Sequence, residues 1–113
     1  METGVYSVRF TGPKTFGSGV VVVDRGRLHG GDHGYYYIGG YRITEPNRLS
    51  AQLHIARHQP GIESVFGPLD QFDLELFGTS TATSFSTQAQ IAGHTSISIQ
   101  VEGRKVSNLD EMA

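Results

Sequence analysis

Hydrophobic and polar residues alternate along most of the chain with the period of two that is typical of β-strands. Near the start, Tyr6, Val8 and Phe10 fall on one face of such a strand, whereas Ser7 and Arg9 fall on the other. Successive side chains of a strand point to opposite faces, so this alternation indicates a strand with one buried and one solvated face.

Eight segments carry this strand pattern, and turn signals separate them at short intervals. The predicted strands are residues 4–10, 20–23, 27–30, 35–43, 51–57, 72–76, 85–91 and 97–101. Helical periodicity is nearly absent. Because consecutive strands joined by short connections most often lie side by side, the order predicts an all-β fold, an eight-stranded antiparallel up-and-down β-barrel, rather than a Greek-key sandwich.

Glycine and proline mark the connections between these strands. Residues 11–19 predict a loop, and residues 24–26 predict a tight hairpin turn. The glycine pair at 39–40 indicates a bulge, a sharp coil of the strand, or the close approach of another backbone. Residues 59–69 predict a long connection, with a short 3₁₀ turn at 63–66, whose apolar residues plug one end of the barrel.

Length and charge narrow the class of protein. A chain of 113 residues predicts a single domain, 1–113, with a polar and frayed tail at 106–113. A net charge of -2 disfavours direct binding to nucleic acid. The chain has no cysteine and no long apolar run, and its first ten residues do not read as a secretory signal. We therefore expect a cytoplasmic protein without contact to membranes.

Two strands carry apolar or aromatic residues on both faces. The residues are Val20, Val21, Val22 and Val23 in one strand and Tyr35, Tyr36 and Tyr37 in another. The tyrosine rings either pack into the core with their hydroxyls at the rim, or form a cavity wall or a dimer surface. We expect a dimer surface or cavity wall in which both faces of the valine strand are covered. A one-residue shift exchanges the faces, so the pattern leaves the orientation of the valines open.

The residues that could carry chemistry are few. His54 and His58 would share a metal on a helix, but four residues of a strand separate them by about 13 Å. His29, Asp32 and His33 could titrate together, yet the glycines between them and the ability of Asp32 to bond its own turn favour a structural corner. No serine stands in a nucleophile motif. We therefore predict no catalytic residue, no metal site, no cofactor and no enzymatic activity.

Five segments occur in a recognisable order between residues 4 and 78. They are GVYSVRF, GSGVVVVDRGRLHGGD, YYYIGGY, LHIARH and SVFG. As an ordered set they resemble the segments of the GrlR family, whose members are bacterial negative regulators of type III secretion. The resemblance implies a lipocalin-like barrel, a homodimer, and an apolar cavity able to hold a lipid-like molecule.

The same resemblance implies an anti-activator that binds a helix-turn-helix transcription activator and keeps it from DNA. The acidic loop by which the family binds this partner matches Thr44, Glu45, Pro46 and Asn47, where Glu45 alone is acidic. The leading hypothesis is thus a non-enzymatic regulator that acts through a partner protein, with an apolar ligand as modulator. The alternative is a barrel that binds a small lipid-like molecule without a regulatory partner.

Overall fold

Eight β-strands make up the structure. A computed structural model of the chain describes residues 1–13, 16–44, 46–62, 64 and 69–109, without the side chains of residues 94–96. The strands are β1 (Gly4–Thr11), β2 (Phe16–Asp24), β3 (Arg27–Gly31), β4 (Tyr35–Thr44), β5 (Arg48–Arg57), β6 (Gln71–Ser80), β7 (Ser84–Ile91) and β8 (His94–Ser107).

The strands form one closed barrel. Each strand pairs antiparallel with the next along the chain, and β1 closes the barrel by pairing antiparallel with β8. This confirms the predicted eight-stranded up-and-down barrel. Among the residues described, no helix has the length and apolar character needed to cross a membrane.

Alternation along each strand separates the core from the surface. In β1, Tyr6 and Val8 are buried, whereas Ser7 and Arg9 are exposed. In β5, Leu53 is buried beside the exposed His54. Both observations confirm the faces that the sequence predicts, and the inward side chains of all eight strands meet in one core.

The β2–β3 hairpin turns through Arg25 and Gly26, as predicted. Both residues have positive φ, 50° for Arg25 and 86° for Gly26, as type I′ turns require. The hairpin register orients the valines: Val21 and Val23 point into the core, whereas Val20 points outward and is 48% exposed. The expectation that both faces of this strand are covered is therefore wrong for the described residues of the single chain, because Val20 is half exposed and Val22 is only partly buried.

Several predicted strand boundaries need correction, among them the end of β6, which lies at Ser80 rather than at residue 76, and the start of β8, which lies at His94 rather than at residue 97. Residues 16–19 belong to β2 rather than to a loop, because Phe16, Gly17, Ser18 and Gly19 continue the antiparallel pairing with β1, where Gly17 and Gly19 stand opposite Phe10 and Val8. Strand β5 begins three residues earlier than predicted, at Arg48. Strand β8 extends to Ser107, through the first two residues of the predicted frayed tail.

Gly39 explains the glycine pair in β4. A Cβ atom at this position would overlap the carbonyl oxygen of Gln52 in β5, so the two backbones approach too closely for any side chain. The register between β4 and β5 is continuous, which excludes a bulge here. Of the three alternatives, the close approach of another backbone is the correct one.

The connections divide between two ends of the barrel. The β1–β2, β3–β4, β5–β6 and β7–β8 connections lie at one end, which we call the Asp32 end. The β2–β3, β4–β5 and β6–β7 turns lie at the other, with the N-terminal segment, and we call it the Met1 end. There the backbone N–H of Glu2 donates to the carbonyl oxygen of Ala82, at 2.7 Å.

Candidate ligand cavity

A cavity of about 170 Å³ lies inside the barrel. Inward side chains of most strands line it, and nearly all of them are apolar. Its central wall is formed by Val8, Leu53, Leu74, Leu76, Ile99 and Val101. The one threonine in this wall, Thr87, donates its hydroxyl to the carbonyl oxygen of Val101 at 2.9 Å, so its polar group is satisfied. The interior is therefore an apolar space that the side chains do not fill.

Large side chains of the N-terminal segment, of β4 and of β7 lie at the Met1 end. Met1, Tyr41 and Phe85 pack against the core there and line the cavity. The ring of Phe85 lies where a side chain at position 103 would stand, which explains why β8 carries Gly103 opposite Phe85. This end of the cavity is thus bounded by large side chains.

The cavity reaches the surface at the Asp32 end. Phe16 and His33 both line the cavity and are both exposed, Phe16 to 80%. Ile62 and Ser64 of the β5–β6 connection also contribute to the wall. An apolar residue of this connection thus faces the barrel interior, as expected, whereas the predicted 3₁₀ turn at 63–66 falls mostly outside the described residues.

Hydrogen bonds hold the β5–β6 connection against the β3–β4 turn. The backbone N–H groups of His58 and Gln59 both donate to the carbonyl oxygen of Gly34, at 2.9 and 3.3 Å. The side chain of Ile62 lies where a Cβ on Gly34 would stand. Tyr35 donates its hydroxyl to the carbonyl oxygen of Leu69 at 2.6 Å, which places this hydroxyl at the rim while its ring lines the cavity.

Asp32 and Tyr37 form a polar pair in the cavity wall. One carboxylate oxygen of Asp32 accepts the backbone N–H groups of Gly34 and Tyr35, at 2.9 and 2.8 Å. This confirms that Asp32 bonds its own turn. The other oxygen accepts the hydroxyl of Tyr37, whose ring is packed edge-on against Phe10. The pair is the main polar feature of an otherwise apolar wall.

The environment of Tyr37 keeps its hydroxyl protonated. Burial raises the pKa of Tyr37 far above the ordinary value of 10, and the hydrogen bond to the Asp32 carboxylate and the charge of that carboxylate raise the pKa further. Tyr37 therefore remains a hydrogen-bond donor to Asp32 over the physiological pH range.

The valine run of β2 and the tyrosine run of β4 each place some side chains inside the barrel and others on its outer surface. Val21, Tyr35 and Tyr37 line the cavity. Val23 is fully buried in the core without lining the cavity. The remaining residues of the two runs, Val20, Val22 and Tyr36, point outward.

An apolar strip covers the outside of β2, β3 and β4. We call it the outer strip, and it consists of Val20, Val22, Tyr36 and Ile38. Val20 and Tyr36 flank Gly31 of β3, and Val22 and Ile38 flank His29, so the four side chains occupy neighbouring rows of the sheet. Val20, Tyr36 and Ile38 are 40 to 50% exposed.

The histidines do not come together in one site. His54 lies 2.7 Å from a carboxylate oxygen of Asp73, whereas the ring of His58 donates to the carbonyl oxygen of Asp32 at 2.9 Å. His29 points outward between Val22 and Ile38. In the described part of the chain, no three His, Asp or Glu side chains converge in a way that could hold a metal ion.

The predicted partner-binding loop lies at the Met1 end, the end of the barrel opposite the Asp32 and Tyr37 pair. Thr44 ends β4, and Pro46 and Asn47 are exposed. The carbonyl oxygen of Asn47 accepts the backbone N–H of Ser80 at 3.0 Å, which ties the turn to β6. Glu45, the acidic residue of this loop, lies outside the described residues.

Sequence reasoning did not find the link between Asp32 and Tyr37. It treated Asp32 as a turn residue and Tyr37 as a wall residue. The usable signal is Gly19 of β2: a Cβ there would lie 2.8 Å from the Tyr37 hydroxyl and 3.4 Å from the Asp32 Cβ, so the pair needs glycine at this position.

Comparison of the chain with protein-family models and with curated proteins found no match. The resemblance to the GrlR family therefore stays a prediction from the residues.

Proposed function

We propose that this protein is a non-enzymatic barrel that binds one small apolar molecule in its interior. The observation that carries the proposal is the apolar cavity of about 170 Å³ that reaches the surface at the Asp32 end. Barrels of about eight strands are just wide enough to hold one small ligand. The sequence adds support, since none of its serines stands in a nucleophile motif.

The volume limits the size of the ligand. An apolar cavity of about 150 Å³ in another protein holds benzene, and typical drug-sized pockets begin near 300 Å³. With 170 Å³, this cavity suits one aromatic ring with a small substituent, or a short alkyl chain. A complete long-chain lipid is too large, so the lipid-like ligand that the resemblance implies would have to be a short one.

A toluene titration tests this proposal. We expect toluene to bind with one site per chain, and the amide signals of interior strand residues to shift in an NMR titration. Urea unfolding in toluene should shift to a higher midpoint, because a ligand of the folded state alone stabilises that state. If toluene leaves both the spectrum and the unfolding midpoint unchanged, the cavity does not act as a binding site.

A second proposal is that the barrel acts as a homodimer, and the outer strip favours it. Val20, Tyr36 and Ile38 place apolar surface on neighbouring rows of one face. Soluble monomers rarely expose large contiguous apolar patches, and such patches mark interaction sites. The homodimer that the resemblance implies would cover the strip.

Sedimentation or native mass spectrometry of Val20→Asp tests the homodimer. A buried unpaired charge opposes association, so we expect dissociation of the variant with its fold intact. The matched control is Gln88→Asp on the exposed outer face of β7, which should leave the dimer unchanged. A wild-type protein that remains monomeric at every accessible concentration would contradict this proposal.

The regulatory role remains the third part of the proposal. A cytoplasmic barrel of this kind would bind a transcription activator through the segment Thr44, Glu45, Pro46 and Asn47, with the interior ligand as modulator. Support comes from the motif resemblance and from the exposed Pro46 and Asn47. The test is a pull-down from extract of the source cell, followed by Glu45→Lys. Capture of a DNA-binding activator that the variant releases would support the role, and equal retention by both proteins would refute the part assigned to the loop.

A further inference from the structure

We infer that the cavity selects a ligand with an amine head on a small apolar body, and that Asp32 and Tyr37 bind this head. The inference rests on the proposed ligand-binding function and adds the chemical class of the ligand. The apolar wall accommodates the body, and the polar pair at the Asp32 end determines which head is accepted.

The hydrogen bonds already made by Asp32 and Tyr37 leave the pair able to accept hydrogen bonds from a ligand but not to donate them. An ionised carboxylate offers about four acceptor positions. Three are used, by the N–H groups of Gly34 and Tyr35 and by the Tyr37 hydroxyl. The Tyr37 hydroxyl has donated its only hydrogen to Asp32, so toward a ligand it is an acceptor. Both groups can therefore accept a hydrogen bond from a ligand, and neither has a hydrogen left to donate.

The negative charge of Asp32 favours a cationic head group over a neutral hydrogen-bond donor. The ion pairs among the described residues occupy the carboxylates of Glu2, Asp24, Asp70 and Asp73. Within the ranges described, no cationic side chain lies within ion-pair distance of Asp32. An ammonium group would supply the missing positive charge and several N–H donors, whereas a carboxylate head would meet like charge and lone pairs.

The pair is positioned by the barrel rather than by a loose surface loop. Gly19 leaves the room that the Tyr37 hydroxyl occupies, since a Cβ there would lie 2.8 Å from the hydroxyl oxygen. The Tyr37 side chain is 4% exposed and packs edge-on against Phe10. A head group that enters from the Asp32 end would thus meet acceptors that are already oriented.

Four probes that share one aromatic body test the inference: toluene, benzyl alcohol, benzylamine and benzoate. Each is titrated into the full chain and followed by NMR. We expect benzylamine to bind more tightly than benzyl alcohol, because hydrogen bonds to charged groups are about twice as strong as neutral ones. We expect it to bind at least about tenfold more tightly than benzoate, because the benzoate carboxylate would meet the like charge of Asp32. Toluene reports on the apolar body alone.

Two variants test whether Asp32 and Tyr37 cause the preference for benzylamine over benzoate. Tyr37→Phe removes one acceptor, and Asp32→Asn removes the charge while asparagine still bonds the turn backbone as an Asx residue. In Asp32→Asn, where the charge is lost, we expect the preference for benzylamine over benzoate to fall to about threefold or less. In Tyr37→Phe, where Asp32 keeps its charge, we expect a smaller fall in the same ratio. Tyr36→Phe is the matched control, since the adjacent tyrosine points outward, and it should keep the full preference.

The outcomes separate this inference from the proposed function. If toluene binds but benzylamine and benzoate bind equally well, the amine preference is wrong and the cavity function stands. If the preference persists in both Asp32→Asn and Tyr37→Phe, the head lies elsewhere and the inference fails. If toluene does not bind at all, the proposed ligand-binding function itself fails.

Discussion

Enlarging one alanine of the cavity wall should stabilise the protein and abolish ligand binding. Ala51 of β5 is 8% exposed and lines the cavity, between Tyr41 and Leu76 in neighbouring strands. Ala51→Leu adds three carbon atoms that can extend into empty space. The matched control is Ala89 of β7, which is fully buried but does not line the cavity.

The expected gain follows from the carbon atoms added. Three buried carbons contribute about 2.4 kcal/mol at ~0.8 kcal/mol each, and immobilising the leucine costs about 0.5 to 1 kcal/mol, so the net gain is about 1.5 kcal/mol. The upper limit is set by the void: 170 Å³ at ~24 cal/mol per Å³ corresponds to about 4 kcal/mol. Ala89→Leu should instead lose about 1 to 3 kcal/mol, because it overpacks a filled region.

Urea unfolding of the two variants and of wild type measures both values, and toluene titration of Ala51→Leu measures the loss of binding. A gain of about 1.5 kcal/mol corresponds to a rise of roughly 6 °C in Tm for a domain of this size. If Ala51→Leu is destabilised as much as Ala89→Leu, no void adjoins Ala51 and the reasoning from the cavity is wrong.

Further predictions concern faces, titration and backbone packing. Val23→Asp should unfold the protein, because it loses about 2 kcal/mol of apolar burial and buries a charge. Val20→Asp lies on the exposed face and should change the stability of the monomer in urea by less than about 0.5 kcal/mol. A folded Val23→Asp variant would contradict the assigned faces. Tyr37 has a higher pKa in the folded protein than in the unfolded chain, so its protonated hydroxyl contributes fully to the free energy of unfolding below pH ~10. Above that pH the free energy of unfolding decreases by up to about 1.4 kcal/mol per pH unit. Tyr37→Phe should therefore flatten the alkaline stability profile in urea by this slope, and identical slopes would refute it. Gly39→Ala should cost about 1 to 3 kcal/mol in the same assay, since its Cβ would overlap the Gln52 carbonyl oxygen, and an unchanged midpoint would show that these strands have room.

The fold was largely predictable because strand alternation is a local signal. Tyr6, Val8 and Leu53 take the faces that their neighbours in the sequence predict. The valine strand was different, since four apolar residues in a row carry no alternation. Its orientation depends on the pairing of Gly17 and Gly19 with β1, which is a property of the assembled sheet.

The cavity was less predictable than the barrel that contains it. Its volume depends on how small and large inward residues from distant strands combine, such as Ala51 with Tyr41. The polar pair has the same origin: Asp32 and Tyr37 meet because the β3–β4 turn folds back and Gly19 of another strand leaves room. No single segment of the sequence contains this arrangement.

The location of bound toluene tests the central proposal most directly. Nuclear Overhauser effects between toluene protons and assigned methyl groups can distinguish the interior from the outer strip. We predict contacts to Val8, Leu53 and Leu74, which line the cavity, in wild type and their loss in Ala51→Leu. Contacts only to Val20 and Ile38 on the outer strip, or no contacts at all, would contradict a ligand site inside the barrel.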